Sequence, residues 1–285
     1  MSLQSLQRTG LIQPRRRGGG CGASSGSSQI TEPDDTGLRR DGSSKLKLNF
    51  RIAHTYPDLR QCFALIYQAY RQAGLSSVNA HAMRVTPHHL LPTTEVIATC
   101  HAETIISTVS MFGDGDLGLP SELLYSQEFD ELRAGGSRLC EIGSLADRRQ
   151  SSRGFLKYFI RMMHFVTQMA HRREYDMMVA AVHPKHARLY QRILPFQQIG
   201  PLTQHPCVND KPAVLIGVNF DWELGSPIYQ RFFGKMRSDD LIGYKPWTDQ
   251  ARERLSKVTL SPKSKPVAEV LGQDAWDRLT AASAC

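Results

Sequence analysis

The chain has 285 residues, 41% of them hydrophobic, and a formal net charge of +8. That supplies one sizeable core with residues left over, no apolar run of the ~18 residues a membrane-spanning helix needs, and six widely spaced cysteines without a C-x-x-C pair, which disfavours a disulfide framework or a structural zinc site. The N-terminus lacks the apolar stretch of a secretory signal, so the expectation is a globular protein of a reducing cytoplasm with no membrane span.

Residues 1–45 contain "RRRGGG" and "GASSGSS" and few large apolar side chains to offset ordering entropy, so a disordered basic tail is expected there. "LKLNFRIA" (46–53) alternates as a half-buried strand does, and Pro57 opens a helix that ends at Gly74. Phe63, Tyr67 and Tyr70 form a stripe on that helix, fit either for core packing or for lining a pocket. After a polar connection in which His88 and His89 read as loop residues, "TEVIATCHAETIISTVSMFGDG" gives two strands about a tight turn at Ala102 and Glu103. A looped insertion follows, then the strand "RLCEIGSLAD".

The next helix, from about Ser152 to Arg173, has an apolar face of Phe155, Leu156, Phe159, Ile160, Met163, Val166, Met169 and Ala170, with Lys157, Arg161, His164 and Gln168 opposite. Its first turn, "RRQSSRG", sets Arg148, Arg149 and Arg153 around Ser151 and Ser152, either of which can cap it, and Gly154. Free N–H groups and the positive end of the helix dipole make this turn a candidate phosphate site; a solvated basic helix face is the alternative. Met177–Val182 then reads as a buried strand, residues 186–193 as a short helix carrying Tyr190, and "PAVLIGVNFDW" as the last strand. Strands lead and then alternate with helices, which indicates an α+β or mixed-sheet α/β fold. Residues 223–285, rich in Pro, Lys and Asp, read as a partly helical, loosely packed extension.

The succession of strand, "R-x-x-S-x-G" (149–154), long helix, apolar strand, "HP-x-H-A-x-x-Y" and "PF-x-x-I-G" resembles the GCN5-related N-acetyltransferase superfamily, although Ser152 stands where that superfamily's turn has its first glycine. "GLPSELLYSQEFDELRAGGSRLCEIGSLADRR" (118–149) and "VHPKHARLYQRILPFQQIG" more closely resemble the N-acyl amino acid synthases, relatives of the autoinducer (acyl-homoserine lactone) synthases. The similarity spans about residues 46–222, the expected acyltransferase domain, and implies a central twisted mixed sheet flanked by helices. "YRQAGLSSVNAHAMR" has no Trp-plus-acid set of the kind that handles S-adenosylmethionine in the lactone synthases, so a lactone synthase is the poorer fit.

The resemblance implies that an amino acid's amine attacks a long-chain acyl thioester. The thioester would be carried as acyl-phosphopantetheine on an acyl carrier protein or as acyl-coenzyme A, with no tightly bound cofactor and no metal. Such a reaction needs a proton acceptor, a cradle for the carrier arm, oxyanion donors and a proton for the departing thiolate. Glu141 is the candidate base and Tyr190 the candidate acid, against the plainer roles of ion-pair partner and core aromatic. The turn of Arg148, Arg149, Ser151, Ser152, Arg153 and Gly154 is the candidate cradle, and backbone groups of Gly143, Ser144 and Leu145 are the candidate oxyanion donors. Tyr67, Tyr70 and His183 are candidate pocket residues. Cys140 alternates with Glu141 along the strand, so it faces away and reads as a small core residue.

No Walker loop, G-x-G-x-x-G fingerprint or P-C-x-x-C zinc pair is present. A nucleic-acid partner is not expected. The alternative class is a non-catalytic carrier-protein or nucleic-acid-binding module on the same fold.

Overall fold

The computed structural model describes residues 48–148 and 152–259, excluding the side chains of 152–155 and 157. The expected tail, Arg149, Ser151 and residues 260–285 lie outside the described residues. Strands β1 (Leu48–Ala53), β2 (Thr94–His101), β3 (Thr104–Gly113) and β4 (Leu139–Asp147) form an antiparallel run. The β2–β3 hairpin turns at Ala102, whose φ of +49° places it in the left-handed region. β5 (Met177–Val182) joins β4 in parallel, and β8 (Lys211–Asn219) continues the sheet antiparallel to β5, with the short β6 (Gln197–Gln198) and β7 (Thr203–His205) both pairing with β8. The sheet is therefore mixed and mostly antiparallel.

Alternation along the strands divides the core between the two faces. Ile52, Ile97, Val109, Met111, Cys140 and Ile142 bury against the long helix that begins at Ser152 and ends at Arg172. Ala53, Val96, Ala98 and Cys100 pack with the first helix, α1 (Tyr56–Gln72), which Pro57 opens and which buries Leu59, Cys62, Phe63, Leu65 and Ile66. Each such large side chain contributes roughly 1.5–3 kcal/mol of burial.

Three differences from the sequence reading have physical causes. "TPHHL" is a short helix, α2 (Pro87–Leu90), rather than a loop, and His88 and His89 are buried on it. Thr86 N–H donates to His89 Nδ1 at 3.0 Å, so the ring carries its proton on Nε2, 3.1 Å from Ser110 Oγ. Residues 122–134, inside the supposed looped insertion, form α3 (Glu122–Ala134). The long helix is α4 (Ser152–Arg172); α5 (Pro184–Ile193) follows β5.

The described part of the extension is not loosely packed. It forms α6 (Pro227–Phe233), α7 (Asp239–Ile242) and α8 (Asp249–Thr259), which bury Phe232, Phe233, Ile242, Trp247, Ala251 and Leu255. It also covers the polar face of α4: Gln168 Nε2 donates to the carbonyls of Phe232 (2.7 Å) and Lys235 (2.8 Å), and Oε1 accepts from the Arg237 backbone. Gln168 thus becomes interior and His164 half-buried while Arg161 stays exposed, whereas Leu156, assigned to the buried face, is 44% exposed. Arg173 completes the join with a bidentate pair to buried Glu95 of β2 at 2.8 Å and a bond to the Ile242 carbonyl.

Candidate active site

The two edges of β4 are unlike. Toward β3 the pairing runs from Cys140 to Asp147, with an extra β4 residue between the pairs Ser110↔Gly143 and Thr108↔Ala146. That surplus is a β-bulge, and Ser144 within it has φ +51°. Toward β5 the register stops at Glu141↔Val179, while β5 stays paired with β8 through Val182. Beyond Glu141 the two strands splay, and residues 142–145 have no partner strand on that side.

A cleft of about 440 Å³ occupies this splay, within the range of small-molecule sites. It is lined by Glu141, Gly143, Ser144 and Leu145 from β4, by Tyr70 from α1, and by His183 and Tyr190 from the β5–α5 unit. Glu141 and Tyr190 therefore share one cavity.

Glu141 is 4% exposed. Its Oε2 accepts two bonds of 2.9 Å, from Ser121 N–H and Ser121 Oγ at the start of α3, while no donor reaches Oε1 among the described residues. Ser121 is itself held in place, because Arg133 clamps both Asp114 at the end of β3 (2.7 Å) and Glu122 on α3 (2.6 Å). Burial pushes the Glu141 carboxyl up to about 7, opposed by the two Ser121 bonds. A carboxyl with one oxygen anchored and one free, half ionised near neutrality, can exchange a proton with a ligand.

Tyr190 is 8% exposed, its ring edge-on to Phe159 (centroids 5.2 Å apart) and Phe196 (5.6 Å). It is both a core aromatic and a wall of the cleft. Burial raises its phenol, which stays protonated. His183 caps α5, its Nδ1 accepting from Lys185 N–H at 3.2 Å. Tyr70 has the Ser144 hydroxyl as a hydrogen-bond neighbour. Tyr67 does not line the cleft; its hydroxyl accepts from Asn79 N–H at 3.4 Å, one helical step away from Tyr70. Phe63 is wholly core, against His89 and Trp247.

At the candidate cradle, α4 begins at Ser152, and Arg148 is exposed just past β4 with its backbone N–H bonded to the Ile106 carbonyl at 2.8 Å. Arg149 and Ser151, and the side chains of Ser152 and Arg153, lie outside the described residues, as does the surrounding of Gly154. Cys140 is buried in the α4-side core, where desolvation raises its thiol.

Sequence reasoning missed Arg84, His88, His205 and Cys207, which also line the cleft. Only His88 had a local signal: Thr86 followed by Pro87 is a cap and first-turn pair. Among the described residues no group of His, Cys, Asp and Glu is arranged to hold a metal ion, and no helix is long and apolar enough to cross a membrane.

Comparison with known proteins agrees with this geometry. The profile of the N-acyl amino acid synthase FeeM family matches residues 61–219, more than half of the chain and all of the cleft-lining strands. The solved structure of FeeM, an N-acyl amino acid synthase from uncultured soil microbes, superposes with a TM-score of 0.54 at 22% identity, over 62% of this chain and 93% of that one. The AHL synthase LasI covers 67% of this chain and 98% of its own at 14% identity and a TM-score of 0.48. A putative N-acetyltransferase from Lactobacillus plantarum covers 60% and 97% at 10% identity and a TM-score of 0.43. No curated protein matches. The mixed sheet and its flanking helices have the fold of the solved N-acyl amino acid synthase FeeM. The chain belongs to the N-acyl amino acid synthase FeeM family and is an N-acyltransferase.

Proposed function

We propose that the chain moves a long-chain acyl group from the thioester of an acyl carrier protein, or of coenzyme A, to the α-amine of an amino acid, in the cytoplasm. The observation that carries this reading is a buried carboxyl, Glu141, whose Oε1 has no donor among the described residues and which burial pushes up to about 7, in a cleft that opens between two splayed strands.

The acyl carbon sits at the mouth of the splay. The amine attacks it, a C–N bond forms, and the amine's proton passes to Glu141, directly or through one water. The oxyanion takes hydrogen bonds from backbone N–H groups of Gly143, Ser144 and Leu145; Ser144 and Leu145 have no register partner on β3, and Gly143, paired there with Ser110, has none on β5. The C–S bond then breaks, the electron pair leaves on sulfur, Tyr190 donates its proton to the thiolate, and the proton taken up by Glu141 returns through water to the Tyr190 oxygen, so both groups regain their starting states. Burial keeps that phenol protonated but makes it a weak acid, so its contribution is smaller than that of Glu141. The products are an N-acyl amino acid and a free thiol. The turn at the start of α4, with Arg148, Arg149, Ser151, Ser152, Arg153 and Gly154, holds the phosphopantetheine phosphate. Those basic side chains suit an acidic carrier protein as partner.

The test is incubation with dodecanoyl-coenzyme A or a dodecanoyl carrier protein and a mixture of the common amino acids, read by mass. One N-acyl amino acid formed per thiol released is expected. Thiol release without an N-acyl product, or no reaction with either donor, would overturn the proposal.

A further inference from the structure

Arg84 lines the cleft with no ion pair to a carboxylate among the described residues. Its guanidinium lies over the Tyr70 ring at 4.8 Å, and Nη2 donates to the Cys207 carbonyl at 3.1 Å. Nε is buried with no acceptor, and no acceptor reaches Nη1 among the described residues. The carboxylates that bond arginines nearby are engaged elsewhere: Glu95 with Arg173, Asp58 with Arg51, and Asp114 and Glu122 with Arg133. The cleft's own carboxyl, Glu141, has its bonds on Ser121 and none to Arg84 among the described residues, and a half-buried guanidinium with donors left unpaired is costly unless a ligand supplies acceptors. The fold spends its backbone on holding Arg84 here, since Arg84 N–H donates to the Phe63 carbonyl of α1 at 3.1 Å.

The position selects the ligand's chemistry. Arg84 lies over Tyr70, and the two line the same cleft as Glu141 and Ser144, so the cation and the base face one cavity. A donor's phosphate is separated from its thioester by the whole pantetheine arm and cannot be the anion met here. The acceptor, whose amine must reach Glu141, can bring an anion on the adjacent carbon. Resting on the transferase reading above, we propose that Arg84 receives the α-carboxylate of the acceptor amino acid, so that the site is specific for amines bearing a neighbouring carboxylate. A guanidinium suits that task because its donors and a carboxylate's acceptors lie in matching planes.

The experiment is calorimetric binding of N-dodecanoyl-glycine and N-dodecanoyl-glycinamide to the full chain and to Arg84→Gln, with turnover of glycine and glycinamide measured in parallel. The acid is expected to bind at least tenfold more tightly than the amide, and the ratio to fall to near one in Arg84→Gln while Arg84→Lys restores part of it. A merely structural Arg84 would weaken both ligands together and leave the ratio unchanged. Equal binding of acid and amide by the native protein, or a preference that survives in Arg84→Gln, overturns the inference. If the binding preference holds and no N-acyl product forms from either acceptor, the carboxylate site stands and the transferase reading is the one that fails.

Discussion

The two edges of β4 are built from one nine-residue strand, yet they do opposite work. On the β3 side, the register continues past the bulge to Asp147. On the β5 side, pairing ends at Glu141, and the unpaired stretch becomes one wall of a cleft that draws residues from both faces of the sheet. The closed edge resembles any antiparallel ladder. The open one shows that a site is made here by ending a ladder rather than by adding a loop, with a bulge at Ser144 turning the freed backbone toward the gap. Substitutions on the open edge should therefore cost rate with little loss of stability, and those supporting the closed part of the sheet should cost stability.

The largest expected effect is on rate. Glu141→Ala lowers kcat/KM for N-acylation by about 10²–10⁴-fold, the range of a lost general base; the check is steady-state kinetics corrected for the folded fraction by calorimetric melting, because the change also strips Ser121 of its acceptor. Next comes Arg173→Ala, which leaves Glu95 buried without its partner and is expected to destabilise by roughly 3–5 kcal/mol in denaturant titration, with residual activity in proportion to the folded fraction. Third is the pH dependence of stability. The folded Glu141 carboxyl holds its proton up to about 7 against an ordinary value of 4.5, so the folded state carries more protons in that window and stability falls as pH rises through it. Glu141→Gln removes that penalty while keeping an acceptor for Ser121. It is expected to be more stable than the native chain at pH 8, by on the order of 2–3 kcal/mol, and nearly equal to it at pH 4 to 5. The smallest effect is that of Tyr190→Phe, about tenfold in kcat, one charge-assisted hydrogen bond's worth of ~1.4 kcal/mol, because ring packing on Phe159 and Phe196 is preserved. An effect of Tyr190→Phe as large as that of Glu141→Ala would move the chief proton transfer to the phenol and break the contrast drawn between the two walls.

What was legible in the sequence is what has a short period. β1 announced itself through alternation, β2 and β3 through the tight turn between them, β5 through a short apolar run and the long helix through a 3.6-residue stripe, and Glu141 could be separated from Cys140 by parity alone. Placing Glu141 and Tyr190 together drew on the family likeness, since 49 positions separate them in the chain. An opening near Gly143 was suggested by that glycine together with the family likeness, but the residue at which pairing with β5 ends, Glu141, carries no breaker to mark it. Arg84 was invisible for a similar reason: its meaning lies in the absence of a carboxylate partner, which no run of residues shows. The extension was misjudged because α6, α7 and α8 are 7, 4 and 11 residues long. Helices that short present too few turns for a stripe to stand out, though Trp247, Ala251 and Leu255 pack on the α1 side as firmly as the strands do.

The central claim, that Glu141 accepts the amine's proton in this cleft, is tested most directly by the pH dependence of kcat/KM for N-acylation in the native chain and in Glu141→Gln. The native profile should rise with pH through an apparent value of about 7, below the limb set by the acceptor's own ammonium group, and that lower limb should vanish in Glu141→Gln together with most of the rate. A Glu141→Gln variant that keeps both the native rate and the limb near 7 would contradict it.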